Sequence, residues 1–384
     1  MNVNGAAFRA LLTSLVLITC MLALLPIHRT QAAQPIPVFA YYYIWYDPTS
    51  WNRAKRDYPV LGRYSSDDRA VMQQHIRWAK QVGISGFIIS WKSTPTLNRR
   101  LEQLADLAAT EQFHLAIIYQ GLDFERQPLP AERVATDLAA FCDRWGGRNV
   151  FNDLYGKPLV IWSGTWEFSV EDIRLVRARL GGCALLLASE RNVQGYERVA
   201  HLVDGNAYYW SSVDPETYPN YEGKLRALSE AVHRHGGLWI APAAPGFDAR
   251  LIGGTRVVDR RNGETLRRQL TAAFASAPDM IGLISWNEFS ENTHIEPSIH
   301  YGDQALRVIA EVLGTTPPTV PALDSEALPP IGPAYGVPLL GVAGVLFLGS
   351  LGLLVLRVRN SAERLFARDT TTALSGDRHP LGEP

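Results

Sequence analysis

From residue 35 to about residue 314, short apolar runs alternate with longer amphipathic ones. The runs at 36–43, 84–90, 115–119, 158–162, 184–189, 203–209, 238–241 and 281–286 have strand length and few polar interruptions, the pattern of strands covered on both faces. Between them, 67–81, 98–112, 131–145, 170–180, 195–200, 221–235 and 264–275 repeat apolar positions at helical spacing, and 303–313 follows the last strand. The first helix shows the logic. Asp67 and Asp68 supply an N-cap and an acidic first turn, Val71, Ile76 and Ala79 an apolar side, and Gly83 a stop. Eight strand–helix units between residues 34 and 314 predict an α/β fold, a (β/α)8 TIM barrel. A doubly wound open sheet would carry a glycine-rich loop after its first strand. This chain has Tyr41-Tyr42-Tyr43-Ile44-Trp45-Tyr46 there instead.

Both ends depart from this rhythm. Residues 1–33 read as a secretory signal segment, cleaved or retained as an anchor: Arg9, an apolar stretch from Ala10 to Pro26, then the small residues of Gln31-Ala32-Ala33. Residues 315–333 are proline-rich and aperiodic, a semi-extended linker. Residues 334–356 are free of charge and long enough to span a bilayer as a single transmembrane helix. Arg357, Arg359, Arg364 and Arg368 follow in the polar tail, 357–384, which the positive-inside rule puts in the cytoplasm. The expectation is a single-pass cell-membrane protein whose barrel, 34–314, lies outside the cytoplasm.

Charge narrows the partners. Lys and Arg number 37 against 38 Asp and Glu, so binding of nucleic acid through its phosphates is not expected. No zinc-type Cys/His spacing and no HExxH motif occurs, and no metal or cofactor is expected. Cys142 and Cys183 remain after the signal segment. An oxidising compartment permits their pairing, and two free buried thiols fit the sequence equally well.

The candidate chemistry sits where the last strand ends. Trp286-Asn287-Glu288-Phe289-Ser290-Glu291 places two carboxylates three residues apart, and Glu296 follows. Glycoside hydrolysis needs two nearby carboxylates with separated pKa values. A polar loop capping the next helix would need only one acceptor. Barrel enzymes act at the C-terminal ends of their strands, and those ends are rich in aromatic, amide and charged groups suited to sugars. Besides Glu288 and Glu291 as the catalytic pair, the candidates for substrate binding are Tyr43, Trp45, Tyr46, Trp91, Tyr119, Gln120, Tyr208, Trp210, Asp248, Arg250, Trp286, Asn287 and Glu296. Asp248 and Arg250 are equally suited to pairing with each other.

The last loop resembles that of glycoside hydrolase family 99, the endo-α-mannosidase family, whose pattern is Trp-Asn-Glu-Trp-His-Glu-Gly-Thr-Gln-Ile-Glu-Pro. Tyr42-Tyr43-Ile44-Trp45-Tyr46, Tyr64-Ser65-Ser66-Asp67 with His75, Gly83-Ile84-Ser85-Gly86-Phe87 with Ser90-Trp91, and Pro245-Gly246-Phe247-Asp248 are similar to other family segments. The resemblance implies a (β/α)8 barrel, an α-mannoside substrate cut within its chain, no metal, and retention of configuration through a 1,2-anhydro sugar. It assigns Glu288 to deprotonating the sugar's 2-hydroxyl and Glu291 to general acid, then base. Phe289-Ser290 replaces the family's Trp-His, Asn292 its Gly, His294 its Gln, and Lys92 a second Trp after Ser-Trp. These changes leave the glycan open, whether α-mannan or another α-linked polysaccharide. A transglycosylase and a non-catalytic glycan-binding barrel are the alternatives.

Overall fold

The computed structural model describes residues 35–320. The expected signal segment, membrane helix and tail lie outside them. Eight parallel strands close into a barrel: β1 (Val38–Tyr43), β2 (Gly86–Trp91), β3 (His114–Gln120), β4 (Leu159–Ser163), β5 (Leu185–Ala188), β6 (Gly205–Ala207), β7 (Leu238–Ala243) and β10 (Met280–Leu283). Each pairs with its neighbour in the chain order of the barrel strands, and β10 returns to β1, with Phe39 opposite Gly282. The outer layer is α1 (Arg69–Gln81), α2 (Pro95–Glu111), α3 (Ala131–Trp145), a short α4 (Asn149–Asn152), α5 (Val170–Leu180), α6 (Val193–Val199), α7 (Tyr221–Arg234), α8 (Glu264–Ala275) and α9 (Gln304–Leu313). Among the described residues no helix is long and apolar enough to cross a membrane.

Local chemistry explains where several helices start. Asp68 caps α1 through the amides of Ala70 and Val71, while Asp67 turns away to Arg99 and Arg100. Thr94 caps α2, and Pro95 occupies its first turn, where a missing N–H costs nothing; the helix therefore begins before residue 98. Ser169 and Asp172 form a reciprocal capping box on α5. The long connection after β7 contains a two-stranded antiparallel hairpin, β8 (Phe247–Asp248) with β9 (Val257–Val258), that periodicity did not signal. Strands of two residues are too short to register as a pattern.

The barrel strands alternate between two environments, since successive side chains leave opposite faces of a strand. Phe39, Tyr41, Ile88, Ala116, Ile118, Ile161, Leu187, Ala207, Ile240 and Ile284 pack together as the barrel's interior. Tyr42, Phe87, Ile89, Trp91, Ile117, Tyr119, Trp162, Tyr208 and Trp239 face outward among the helices. The interior is filled: a Cβ at Gly86 would lie 2.3 Å from the Phe39 ring, so only glycine fits opposite that phenylalanine.

Cys142 on α3 and Cys183, just before β5, are joined by a disulfide across a sequence separation of 41. Closing a loop of this size restricts the unfolded chain. Replacing both cysteines by serine should lower the unfolding free energy by about 2–4 kcal/mol, read as a shift in the denaturant midpoint. An unchanged midpoint would remove the disulfide from the account of stability.

Candidate active site

The segment after β10 folds back over the end of β1. The Trp286 amide donates to the Tyr41 carbonyl at 2.7 Å, one step beyond the last ladder pair. The Asn287 side chain then imitates a strand: its Oδ1 accepts from the Tyr43 amide at 2.8 Å and its Nδ2 donates to the Tyr43 carbonyl at 3.0 Å. Tyr46 donates through its hydroxyl to the Asn287 carbonyl at 2.7 Å. Further along, the Ser285 amide donates to Thr293 and the Ile295 amide donates back to Ser285, each at 2.9 Å, closing the loop on itself. Asn292 holds φ at 55°, a left-handed conformation open to Gly and tolerated by Asn, which accounts for Asn at the position where the resemblance has Gly.

This loop delivers Glu288 and Glu291 to the C-terminal mouth of the barrel. Glu288 is buried; its amide donates to Ser285 Oγ at 2.8 Å, and one carboxylate oxygen accepts from the Ser290 amide at 2.8 Å. Burial raises its pKa, opposed by the Ser290 amide and by the nearby Lys55 ammonium. Lys55 donates to Ser290 Oγ at 3.2 Å, so the serine that replaces the family histidine brings a cation alongside Glu288. The Glu291 carboxyl is pushed up to about 7, first by burial and then by the charge of Glu288, with Arg126 opposing. Its backbone carbonyl accepts from the Asp248 amide at 2.8 Å, fixing it to the hairpin strand β8.

The hydroxyls of Tyr43 and Tyr209 bond to each other beside the two carboxylates. Burial raises both phenols well above their ordinary range, reinforced by Glu288 and Glu291, so they stay protonated donors. Trp45 leans on Tyr43 with ring centroids 4.4 Å apart and is 42% exposed, an open aromatic face at the mouth. Gln120 points into the mouth and donates to Ser90 Oγ at 3.1 Å. Trp210 lies at the rim, half-buried against the Arg191 guanidinium.

Several sequence-predicted substrate contacts are placed elsewhere. Trp91, Tyr119 and Tyr208 have the outward parity of their strands: Trp91 packs on Phe141 and Trp145 and donates to Asn98, Tyr119 donates to Asp137 at 2.8 Å, and Tyr208 packs against Lys224. Trp286 is fully buried against His75 and Phe87. Asn287, also fully buried, is the clamp on β1 rather than a sugar ligand. Tyr46 borders Glu288 from beneath, within a buried cluster with Trp51 and Tyr64. Glu296 is sealed under the loop, bonded to His75 Nε2 at 3.0 Å and to the Tyr64 hydroxyl at 2.8 Å. Asp248 and Arg250 pair with each other at 2.7 Å, and Arg56 adds a second guanidinium at 3.0 Å. Tyr209 and Ser90, both of inward parity, were missing from the sequence-based set. Counting alternate positions outward from Ala207 and Ile88 finds them.

Of the remaining departures from the family pattern, Phe289 and His294 are buried and Lys92 is half-buried. Phe289 packs on Trp51 and stacks on His294 at 4.0 Å. Burial, aided by Arg260, lowers His294 to about 4, leaving it neutral against Asp57. Lys92 donates to the Leu122 carbonyl at 3.0 Å, holding the β3–α3 connection. Among the described residues no group of three His, Cys, Asp or Glu side chains is placed to hold a metal ion.

Comparison with known proteins agrees with this arrangement. Rat glycoprotein endo-alpha-1,2-mannosidase is 20% identical over 267 residues, covering 63% of this chain and 56% of that protein. A mouse glycoprotein endo-alpha-1,2-mannosidase-like protein is 22% identical, covering 63% of this chain and 58% of the relative. The chain thus spans somewhat over half the length of these relatives. A solved family 99 endo-alpha-mannosidase from Bacteroides thetaiotaomicron has the same fold, with a TM-score of 0.63 and 20% identity over 72% of this chain and 96% of that one. A solved glycoside hydrolase-like protein superposes with a TM-score of 0.59 at 18% identity, over 72% of this chain and 93% of that one. The profile of glycosyl hydrolase family 99 matches residues 47–309, which include both loop carboxylates and most of the barrel, and the chain belongs to that family.

Proposed function

We propose that this protein is a membrane-anchored, outward-facing glycoside hydrolase that cuts within α-linked glycans, α-mannan or a related polysaccharide, with retention of configuration. The observation that carries the reading is the unequal environment of two carboxyls in one loop. Glu288 accepts an amide hydrogen bond and has Lys55 nearby. The Glu291 carboxyl accepts none among the described residues and feels Glu288 as a like charge. Of the two, Glu288 is the one held as a carboxylate and Glu291 the one kept protonated near neutral pH, the division that acid/base catalysis requires.

In the proposed reaction Glu288 takes the proton of the 2-hydroxyl while O2 attacks the anomeric carbon. The bond from that carbon to the leaving oxygen breaks, and Glu291 protonates the departing oxygen. In the second half Glu291 takes a proton from water, the water oxygen attacks the anomeric carbon, its bond to O2 breaks, and Glu288 returns the proton to O2. Two inversions give net retention. The Tyr43–Tyr209 pair offers hydroxyl donors beside both carboxyls. The names of the mannosidase relatives support an α-mannoside, and the Cys142–Cys183 disulfide suits a barrel outside the cytoplasm.

Glu288→Gln and Glu291→Gln should each reduce glycan hydrolysis by at least about a thousandfold, the scale of losing a proton-transfer group, with melting temperature retained. Near-normal turnover in either variant would overturn the role given to that residue. The alkaline limb of kcat/KM should fall with an apparent pKa of about 7, a property of the coupled pair. The same shift has a stability consequence. The folded state holds the Glu291 proton that the unfolded chain releases at lower pH, so stability falls as pH rises from the ordinary carboxyl range through about 7. Glu291→Gln should flatten that part of a melting-temperature profile. The full chain should sediment with membranes, with its barrel open to protease added outside intact cells; recovery as a soluble protein would overturn the anchor.

A further inference from the structure

The mouth holds cationic groups that hydrolysis of a neutral glycan does not use. Most arginines nearby are committed: Arg56 and Arg250 to Asp248, Arg198 to Glu190, Arg261 to Asp214. Arg191, immediately beyond β5, is not. Its guanidinium carbon lies 3.7 Å from the ring centroid of Trp166, which follows β4, and 4.6 Å from that of Trp210, which follows β6. Among the described residues it has no ion-pair or hydrogen-bond partner. Its Nε, and the Nε1 of the neighbouring Trp166, are buried donors without an acceptor.

A second cation approaches from the β3–α3 connection. Arg126 is exposed on that loop, with φ at 64° and its amide bonded to the Asp123 carbonyl at 3.2 Å. It too has no ion pair among the described residues. Its charge is felt at Glu291 and at Arg191, so it stands within electrostatic reach of both the reaction centre and the indole-flanked guanidinium. The acids nearest Arg191 do not neutralise it by contact: Glu190 is bonded to Arg198 at 3.1 Å, and Glu167 is exposed with no ion pair. Lys92, at a position where the family pattern has tryptophan, secures the base of the Arg126 loop.

Arg191 is half-buried, and a buried donor such as its Nε is costly to leave unpaired unless a ligand supplies the acceptor. Indole faces cover the planar cation and leave its edge open, and that edge forms the two-donor fork that matches carboxylate, sulfate and phosphate. We propose that the β4–β6 side of the mouth is a subsite for an anionic substituent on the glycan, with Arg191 as its indole-held ligand and Arg126, on the β3–α3 connection, as a second cation in electrostatic reach. This rests on the reading of Glu288 and Glu291 as the hydrolytic pair and names the class of substrate they act on: an α-linked polysaccharide bearing acidic groups.

The test compares neutral α-mannan and α-glucan with derivatives of each that carry carboxylate at oxidised primary hydroxyls, sulfate esters or phosphate esters. Turnover and calorimetric binding are measured on the full chain and on Arg191→Gln, Arg191→Lys and Arg126→Gln, with melting temperature as the folding control. At least one anionic derivative should bind and turn over about tenfold or more better than its neutral parent, the scale of a charge-assisted hydrogen bond. Added salt should weaken that advantage. Arg191→Gln should collapse the anionic-to-neutral ratio, Arg191→Lys should restore only part of it, and the exposed Arg126→Gln, which leaves the indole pair intact, should reduce it. Which derivative leads identifies the anion. Equal binding of neutral and anionic forms overturns the subsite, as does no binding of any anionic form. Charge-dependent binding without turnover supports the subsite and instead overturns the hydrolase reading.

Discussion

The carboxylates depend on how the barrel closes. β10 pairs with β1, and hydrogen bonding continues past the ladder, first through the Trp286 amide on Tyr41 and then through the Asn287 side chain on both backbone groups of Tyr43. A side-chain amide presents a carbonyl acceptor beside an NH2 donor, so it can bond both backbone groups of one residue and extend a strand edge where the backbone has already turned away. That substitution frees the chain at Glu288 to cross the mouth while its root stays tied to the most buried part of the sheet. From beneath, His75, Tyr64 and Glu296 bond the return of the loop to α1 and to the connection after β1. A loop tied at both ends holds its carboxyls with little freedom, the condition for precise proton transfer.

Burial does two jobs at this site. It raises both carboxyls, and it brings the two phenols beside them under the same penalty, so the mouth can hold two hydroxyl donors and a carboxyl that stays protonated near neutral pH. What separates the carboxyls is local: the Ser290 amide and Lys55 at one, the neighbouring charge at the other. The serine where the family pattern has histidine, and the phenylalanine where it has tryptophan, belong to this setting. One lets Lys55 approach; the other fills a buried aromatic cluster, where a change of ring need not touch the ligand.

The barrel, its eight units and the loop carrying Glu288 and Glu291 were legible because each is written locally. Strands buried on both faces read as continuous apolar runs, helices as amphipathic repeats, and the carboxylates as charge directly after a strand. The mouth lining was less legible. In a strand buried on both sides both parities are apolar or aromatic, so Trp91, Tyr119 and Tyr208 look as suitable as Tyr43 and Tyr209 until the interior is identified. The fate of Asn287 and Glu296 depended on partners 244 and 221 positions away in sequence number, which no local pattern contains; Asp248 took the local partner Arg250 that the sequence offered and added Arg56 from afar.

The sequence by itself determined the barrel and the family, since periodicity and a contiguous motif survive in one dimension. It also carried the expectation of a membrane anchor in segments beyond the described residues. Tertiary structure decided which face each strand-end residue presents, that Cys142 and Cys183 meet, and that Arg191 lies against two indoles without a carboxylate partner. These outcomes belong to closure. Joining eight strands into a ring converts a period of two into inside and outside, and it brings together loops that the chain separates by tens or hundreds of residues.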